Sequence, residues 1–256
     1  MLLTVLGCSG SAPGPRAASS GYLLEADGFL LGIELGNGTL AELQAVRDPF
    51  ALDALLLSHL HPDHCADFSA LTVLRRYHPA PSRDPRTHRL PVYASREAPE
   101  RLVAAYCPAA TDRAREDLGD VFEFHRLADG IVHIGPFEVT AAAAAHPCES
   151  YSFRIVYNGH SIVYTGDTGP SPAITKLAKG VDVVLAEASW THAEDRPPDL
   201  HLSGVEAGRL AHAAGAGRLL VTHVPPWTDR TAVLAEARTE FSGTAHLVGQ
   251  GESFEI

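Results

Sequence analysis

Residues 58–67, SHLHPDHCAD, place three histidines and two aspartates directly after the apolar run at residues 54–57. Imidazole and carboxylate are the side chains that hold zinc-type dications, and the order H-x-H-x-D-H matters as much as the composition. Side chains two apart on an extended segment point the same way, so His59 and His61 can share one ion. Asp63 and His64 then open a helix and aim at a neighbouring ion. The spacing therefore predicts a two-metal site and not simply a histidine-rich loop in a chain with 14 histidines.

Such a centre needs further ligands, each at the end of a strand. His146 follows the strand-like run at 137–140, Asp167 ends IVYTGD at 162–167, and His223 ends LLVTH at 219–223. Singly each is an ordinary loop residue. Their common position after apolar strands is what groups them.

The elements that must position these residues come in two rhythms. Residues 2–6, 22–26 and 29–34 read as strands, with Asp27-Gly28 as a hairpin turn. An antiparallel sheet is expected to open the chain. From Asp53 apolar strands lead into helices: 54–57 into a helix at 62–77, and 91–94 into 96–106. Residues 132–140, 151–157 and 161–165 read as strands, while the alanine run at 141–145 is ambiguous. The last third alternates strands at 181–186, 218–222 and 246–249 with helices at 172–179, 204–214 and 228–240. Ser203 and Glu206 form a capping-box signature that starts the second of these helices just after His201. The whole, residues 1–256, is expected to be one domain of two sheets packed between outer helices.

Composition narrows the function. A hydrophobic content of 45% supports a substantial core, and a net charge of −11 argues against capture of long nucleic acid. The four cysteines lack paired spacing, which suits a reducing compartment. No run is long enough to span a membrane, and the opening MLLTVLGC lacks the basic region of a leader, so a cytoplasmic location is expected.

HLHPDH, His146, the Gly166-Asp167-Thr168 turn and Thr222-His223 together resemble the metallo-β-lactamase fold in its phosphodiesterase branch, over essentially the whole chain. The segments AEASW (186–190), HLSG (201–204) and THVPPW (222–227) look most like the actinobacterial cyclic-nucleotide phosphodiesterases, the atypical class II enzymes, which are similar to ribonuclease Z. The resemblance implies an α/β fold, an αββα sandwich of two mixed sheets between outer helices. It implies His59, His61 and His146 on a first divalent ion and Asp63, His64 and His223 on a second. Asp167 would bridge the two, leaving a shared hydroxide as nucleophile, with Asp63 orienting it. By ligand type zinc suits best, with manganese or iron compatible. Cysteine-ligand β-lactamases carry Cys where Asp167 stands, so antibiotic hydrolysis is not expected. Glu187 and His201 resemble the leaving-group machinery of ribonuclease Z, with His201 as general acid.

Ribonuclease Z carries a long arm between the positions matching His146 and Asp167, where this chain has only 20 residues. A small phosphodiester, a 3′,5′-cyclic nucleotide cleaved to the 5′-nucleotide, is therefore the expected substrate. Short RNA on a ribonuclease Z-like pattern, or a lactone or thioester, remains as an alternative. A homodimer is the expected assembly. The Gly7-Cys8-Ser9-Gly10-Ser11 loop and the Gly36-Asn37-Gly38 turn are expected to wall the site. Asp67 could support a ligand histidine. Cys65 reads as a buried thiol, and Cys148 as a thiol without a matching partner. Arg75 and Arg76 read as a solvated face. Trp190 and Trp227 could stack a base, although an indole after a strand is more often core.

Overall fold

A computed structural model describes residues 1–256. Strands β1 (Leu2–Gly7), β2 (Gly21–Ala26) and β3 (Phe29–Ile33) form the expected antiparallel start. Both turn residues between β2 and β3 are left-handed, with φ of 50° at Asp27 and 77° at Gly28, the backbone that a two-residue hairpin requires. Strands β4 (Ala54–Leu56), β5 (Leu90–Ala94) and β6 (Phe122–Arg126) then add in parallel, and β14 (Ser253–Glu255) pairs with the far edge of β1.

The second sheet repeats the plan. Strands β7 (Gly130–Ile134), β8 (Phe137–Ala143), β9 (Tyr151–Tyr157) and β10 (His160–Tyr164) run antiparallel. Strands β11 (Val183–Glu187), β12 (Arg218–Thr222) and β13 (Thr244–Leu247) follow in parallel. Each sheet thus has seven strands and mixed direction.

Period-two alternation decides the layers. In β1 and β2, Leu3, Val5, Tyr22 and Leu24 face the other sheet, where they meet Phe153, Ile155, Ile162 and Leu185 in a central core. Leu6 and Leu23 face the opposite way, onto helices α1 (Thr39–Val46), α3 (Phe68–Tyr77) and α4 (Ala98–Tyr106). The outer face of the second sheet packs Val163, Val184 and Leu219 on α5 (Pro172–Leu177), α6 (Gly204–Ala214) and α7 (Arg230–Glu240). The result is the expected αββα sandwich.

Several boundaries differ from the sequence reading. The 62–77 helix is two pieces, a single turn α2 (Pro62–Cys65) and then α3, because the chain bends at Ala66-Asp67. The strand expected at 132–140 is the β7–β8 hairpin, turned at Gly135 with φ of 55°. The alanine run continues β8 as far as Ala143, where pairing with β9 overrides alanine's helical preference. Arg75 is not solvated: it is 4% exposed and donates to the carbonyls of Val121 and His88. Arg76 pairs with Glu116 and Asp120 at 2.8 Å each.

Candidate active site

The chain leaves β4 through Leu57 and Ser58 and turns into α2, with His61 extended at its N-terminus and Pro62 in its first position. This turn sets His59 Nε2 at 2.9 Å from His61 Nδ1. His146, past the end of β8, brings its Nε2 to 3.2 Å from the same His61 nitrogen. The second group forms where α2 meets the ends of β10 and β12. There His64 Nε2 and His223 Nε2 are 3.2 Å apart, and His223 Nε2 is 3.1 Å from Asp63 Oδ2. Asp167 lies between the groups. Its Oδ1 is 3.2 Å from both His64 Nε2 and His223 Nε2, while its Oδ2 faces His59 Nε2 at 3.7 Å. All seven residues singled out from the sequence therefore converge, in two sets that share one carboxylate.

These separations match a metal's donor shell. A tetrahedron with bonds of about 2.0–2.1 Å to zinc has edges of about 3.3 Å. Asp167 Oδ1 is buried without any hydrogen-bond donor, an orphaned acceptor that a cation would satisfy. Five imidazoles and two carboxylates are a donor set suited to a pair of dications. The exposed Cys148 also places its sulfur with the His59, His61 and His146 nitrogens, all within 4.8 Å of one another, so it is not without partners.

The other nitrogen of three of the converging imidazoles, those of His59, His146 and His223, is hydrogen-bonded, while that of His64 has no hydrogen-bond partner and faces a carboxylate. Ser58 Oγ lies 3.0 Å from His59 Nδ1, His146 Nδ1 donates to the Leu200 carbonyl at 2.9 Å, and Glu34 Oε1 is 3.5 Å from His64 Nδ1. Ser189 Oγ sits 3.1 Å from His223 Nδ1 and donates to Glu187 Oε2 at 2.9 Å. A carboxylate only accepts, so the serine proton points to Glu187 and its lone pair takes the His223 Nδ1 proton. The contacts at His146 and His223 leave the inward nitrogen with a lone pair for a metal. Glu34, Ser58 and Ser189 were not found from the sequence, being isolated polar residues beside strand ends. Asp67, by contrast, accepts from the Leu40 amide at 2.9 Å, anchoring α1, and supports no histidine.

The walls are tight. A Cβ on Gly10 would lie 2.3 Å from the His223 carbonyl oxygen, and one on Gly36 would lie 2.0 Å from that of Asp63. Neighbouring Ser11 donates its amide to Asp63 Oδ2 at 2.8 Å. The two glycine loops therefore do form walls, by close approach of backbone.

His201 stands beside this centre. Its Nδ1 lies 3.0 Å from Glu187 Oε1 and 3.8 Å from Asp167 Oδ2. Burial opposes its protonation, but the Glu187 charge and hydrogen bond, with Asp167 and Asp63 behind them, outweigh that and push its pKa up to about 9. Burial and the neighbouring imidazoles act the other way on His59, which is held well below the ordinary value. Burial thus disfavours the cation at His59, whereas neighbouring carboxylates favour it at His201.

The family model described as the beta-lactamase superfamily domain matches residues 35–224, which carry all seven converging residues and both members of the His201–Glu187 pair. The chain belongs to the beta-lactamase superfamily. It is 46% identical over 258 residues to protein Rv1339 of Mycobacterium tuberculosis, covering 99% of this chain and 92% of that one. It is 30% identical over 255 residues to the probable metallo-hydrolase YhfI of Bacillus subtilis, covering 100% of both. The crystal structure of YhfI, a metallo-beta-lactamase fold protein, superposes with a TM-score of 0.85 at 28% identity over 99% of each chain. Ribonuclease Z of Mycobacterium marinum is 28% identical over 279 residues, 96% of this chain and 95% of that one. The protein is a metal-dependent hydrolase of this superfamily.

In this superfamily member most of the 20 residues between His146 and Asp167 are spent on β9, β10 and the turn between them. A cavity of about 390 Å³ opens at the site, with Ser11 and His201 among its lining residues. No helix is long and apolar enough to cross a membrane.

Proposed function

We propose that the protein hydrolyses a small phosphodiester, a 3′,5′-cyclic nucleotide such as cyclic AMP, to the 5′-nucleotide. In this reading His59, His61 and His146 would hold one ion and Asp63, His64 and His223 the other, with Asp167 shared between them, and zinc would suit an imidazole-rich set best. When bound, the ions supply Lewis-acid charge against the phosphoryl oxygens and lower the pKa of water.

The observation that carries the reading is His201. Its Nδ1 is held by Glu187, which leaves Nε2–H to face the reacting group at the cavity. Water attacks phosphorus and releases a proton to solvent, the P–O3′ bond breaks, and the departing O3′ takes the His201 proton, which solvent then restores. A sugar alkoxide is a poor leaving group, so this donor is what a phosphodiester of an alcohol requires. Glu187 keeps the imidazole in the donating tautomer and charge state, and its Oε1 is itself fixed by the Thr168 amide at 2.8 Å. Asp63, held by the Ser11 amide, aligns the water.

The short link between His146 and Asp167 and the net charge of −11 favour a substrate that enters whole over tRNA. The likeness to ribonuclease Z favours short RNA as the second reading. The test is hydrolysis of cyclic AMP and of a linear dinucleotide by zinc- or manganese-loaded protein, with Asp167→Ala in parallel. Release of 5′-AMP from the cyclic substrate by the wild type alone is expected. Faster turnover of the dinucleotide, or no turnover with both ions bound, overturns the choice of substrate.

A further inference from the structure

We propose that the cavity beside His201 is a nucleobase site, in which Trp227 supplies the stacking face and Arg196 a hydrogen-bonding edge. This rests on the reading that the substrate is a nucleotide ester. The chain contains two tryptophans, and both line this one cavity.

Trp227 is 71% exposed, a large apolar surface left in water where an indole after a strand would ordinarily enter the core. Its position is nevertheless fixed. It follows Pro225 and Pro226, and the next residue, Thr228, donates its hydroxyl to the Ser189 carbonyl at 3.0 Å and its amide to the Pro225 carbonyl at 3.0 Å. Two prolines and two hydrogen bonds fix the backbone on either side of the indole, which lowers the cost of ordering the ring when something stacks on it.

Trp190 forms the inner side. It lies three residues beyond Glu187, with its ring 5.2 Å from that of His201 at an interplanar angle of 83°. The Arg196 guanidinium covers this indole at 5.3 Å, and its Nε donates to the Thr191 carbonyl at 3.2 Å. Arg196 is thereby held at the cavity with its remaining N–H groups free of side-chain carboxylates. The one carboxylate among the lining residues, Asp229, is occupied as the cap of α7, accepting from the Thr231 and Ala232 amides.

The cavity therefore runs from Ser11 and His201, where a phosphoryl group would react, to an indole face at its mouth. Its volume, about 390 Å³, is at the small-ligand end of binding pockets. Planar heteroaromatic rings bearing hydrogen-bond acceptors, joined by a sugar to the phosphate, fit that sequence of surfaces. Stacking accepts any base, and the larger π-face favours a purine.

Because both tryptophans sit in this cavity, fluorescence excited beyond the absorption of the seven tyrosines reports on it alone. Zinc-loaded protein is titrated with 5′-AMP and, separately, with ribose 5-phosphate. Saturable quenching by 5′-AMP with little response to ribose 5-phosphate is expected. Calorimetric titration of Trp227→Ala should show affinity for 5′-AMP falling about tenfold while that for ribose 5-phosphate holds, with Trp227→Phe recovering most of the loss. Equal responses to the two ligands, or equal losses in Trp227→Ala, overturn the base site. The outcome is separable from that of the reaction itself. Cyclic AMP hydrolysis without base-dependent binding removes the base site alone, and base-dependent binding without hydrolysis removes the reaction alone.

Discussion

Replacing His201 separates proton donation from the rest of the site, because its effect must depend on the leaving group. Its Nδ1 is fixed 3.0 Å from Glu187, so His201→Asn, whose amide can keep that contact, removes the transferable proton at Nε2 without replacing a converging metal-donor residue. General acid catalysis of this kind contributes about 10²–10⁴-fold. That full loss is expected in kcat for cyclic AMP, whose leaving oxygen is a sugar alkoxide. A p-nitrophenyl phosphodiester departs without a proton, and its kcat should fall less than about threefold. The same pairing predicts the pH dependence. A donor whose pKa is raised stays protonated to higher pH, so activity should persist through neutrality and fall on the alkaline side. With the His201 pKa at about 9 instead of the ordinary 6.5, about nine tenths of the molecules carry the proton at about pH 8, against about one in thirty otherwise. Bound dications pull that value down, so the alkaline limb should lie between about pH 7 and 9 and be absent from the variant. Steady-state rates on both substrates, with metal content measured alongside, decide the matter. Equal losses on the alkoxide and phenolate substrates would refute the assignment.

Three further perturbations test the supporting contacts. Glu34→Gln removes the carboxylate 3.5 Å from His64 Nδ1 and should weaken metal at the Asp63, His64 and His223 site about 10–100-fold, measured by competition with a chromogenic chelator; unchanged affinity for both ions would contradict it. As pH falls between about 8 and 5, the ion at that site should leave before its neighbour, since burial holds His59, His61 and His146 below the ordinary value. The Asp167 and Glu34 carboxylates hold His64 above it against its burial, and dialysis with metal analysis would show the opposite order if this reasoning fails. Gly36→Ala puts a Cβ 2.0 Å from the Asp63 carbonyl and should cost about 3 kcal/mol in denaturant unfolding as well as metal affinity; a cost under about 0.5 kcal/mol would mean that the loop yields freely.

What the sequence disclosed follows from how its signals are distributed. The 58–67 run was legible because its ligands are contiguous and one backbone turn sets their directions. Asp167 and His223 were legible only through the apolar strands before them, which is topology read as position. The α6 boundaries were visible because the capping box is a local device, and Ser203 and Glu206 do exchange hydrogen bonds of 2.8 and 3.2 Å. Arg75 was misread because burial of a charged side chain depends on distant carbonyls, here those of Val121 and His88. Glu34, Ser58 and Ser189 escaped for the same reason: each acts across the sandwich or through a neighbour's outer nitrogen, and no local pattern marks that. Trp227 is legible only as a choice between base platform and core, since an exposed indole has the same letters around it as a buried one.

The two halves of the chain contribute to each candidate ion site unequally but jointly, and two of the seven non-glycine residues with left-handed backbone lie where they meet. The first sheet supplies His59, His61, Asp63, His64 and Glu34, while the second supplies His146, Asp167, Glu187, His201 and His223. Glu34 and His223 lie immediately after β3 and β12, and both are left-handed, with φ of 61° and 56°. Such a conformation costs about 1–3 kcal/mol at a non-glycine residue, so something must hold each there. For Glu34 it is the Ser58 amide, at 3.1 Å, and His64. For His223 it is Ser189, with Tyr22 Oη and Thr222 Oγ1 meeting at 2.7 Å across the sandwich just behind it. The strain at these two residues therefore sits at the seam that the ions would bridge, whereas the 24-residue core between the sheets is built without either residue. Loss of metal should consequently loosen these two strand ends, and with them His64 and His223, before it loosens the sheets. Hydrogen exchange should rise first at Glu34, Leu35 and His223, and a uniform rise through β2 and β10 would instead mean that the metal holds the sandwich itself together.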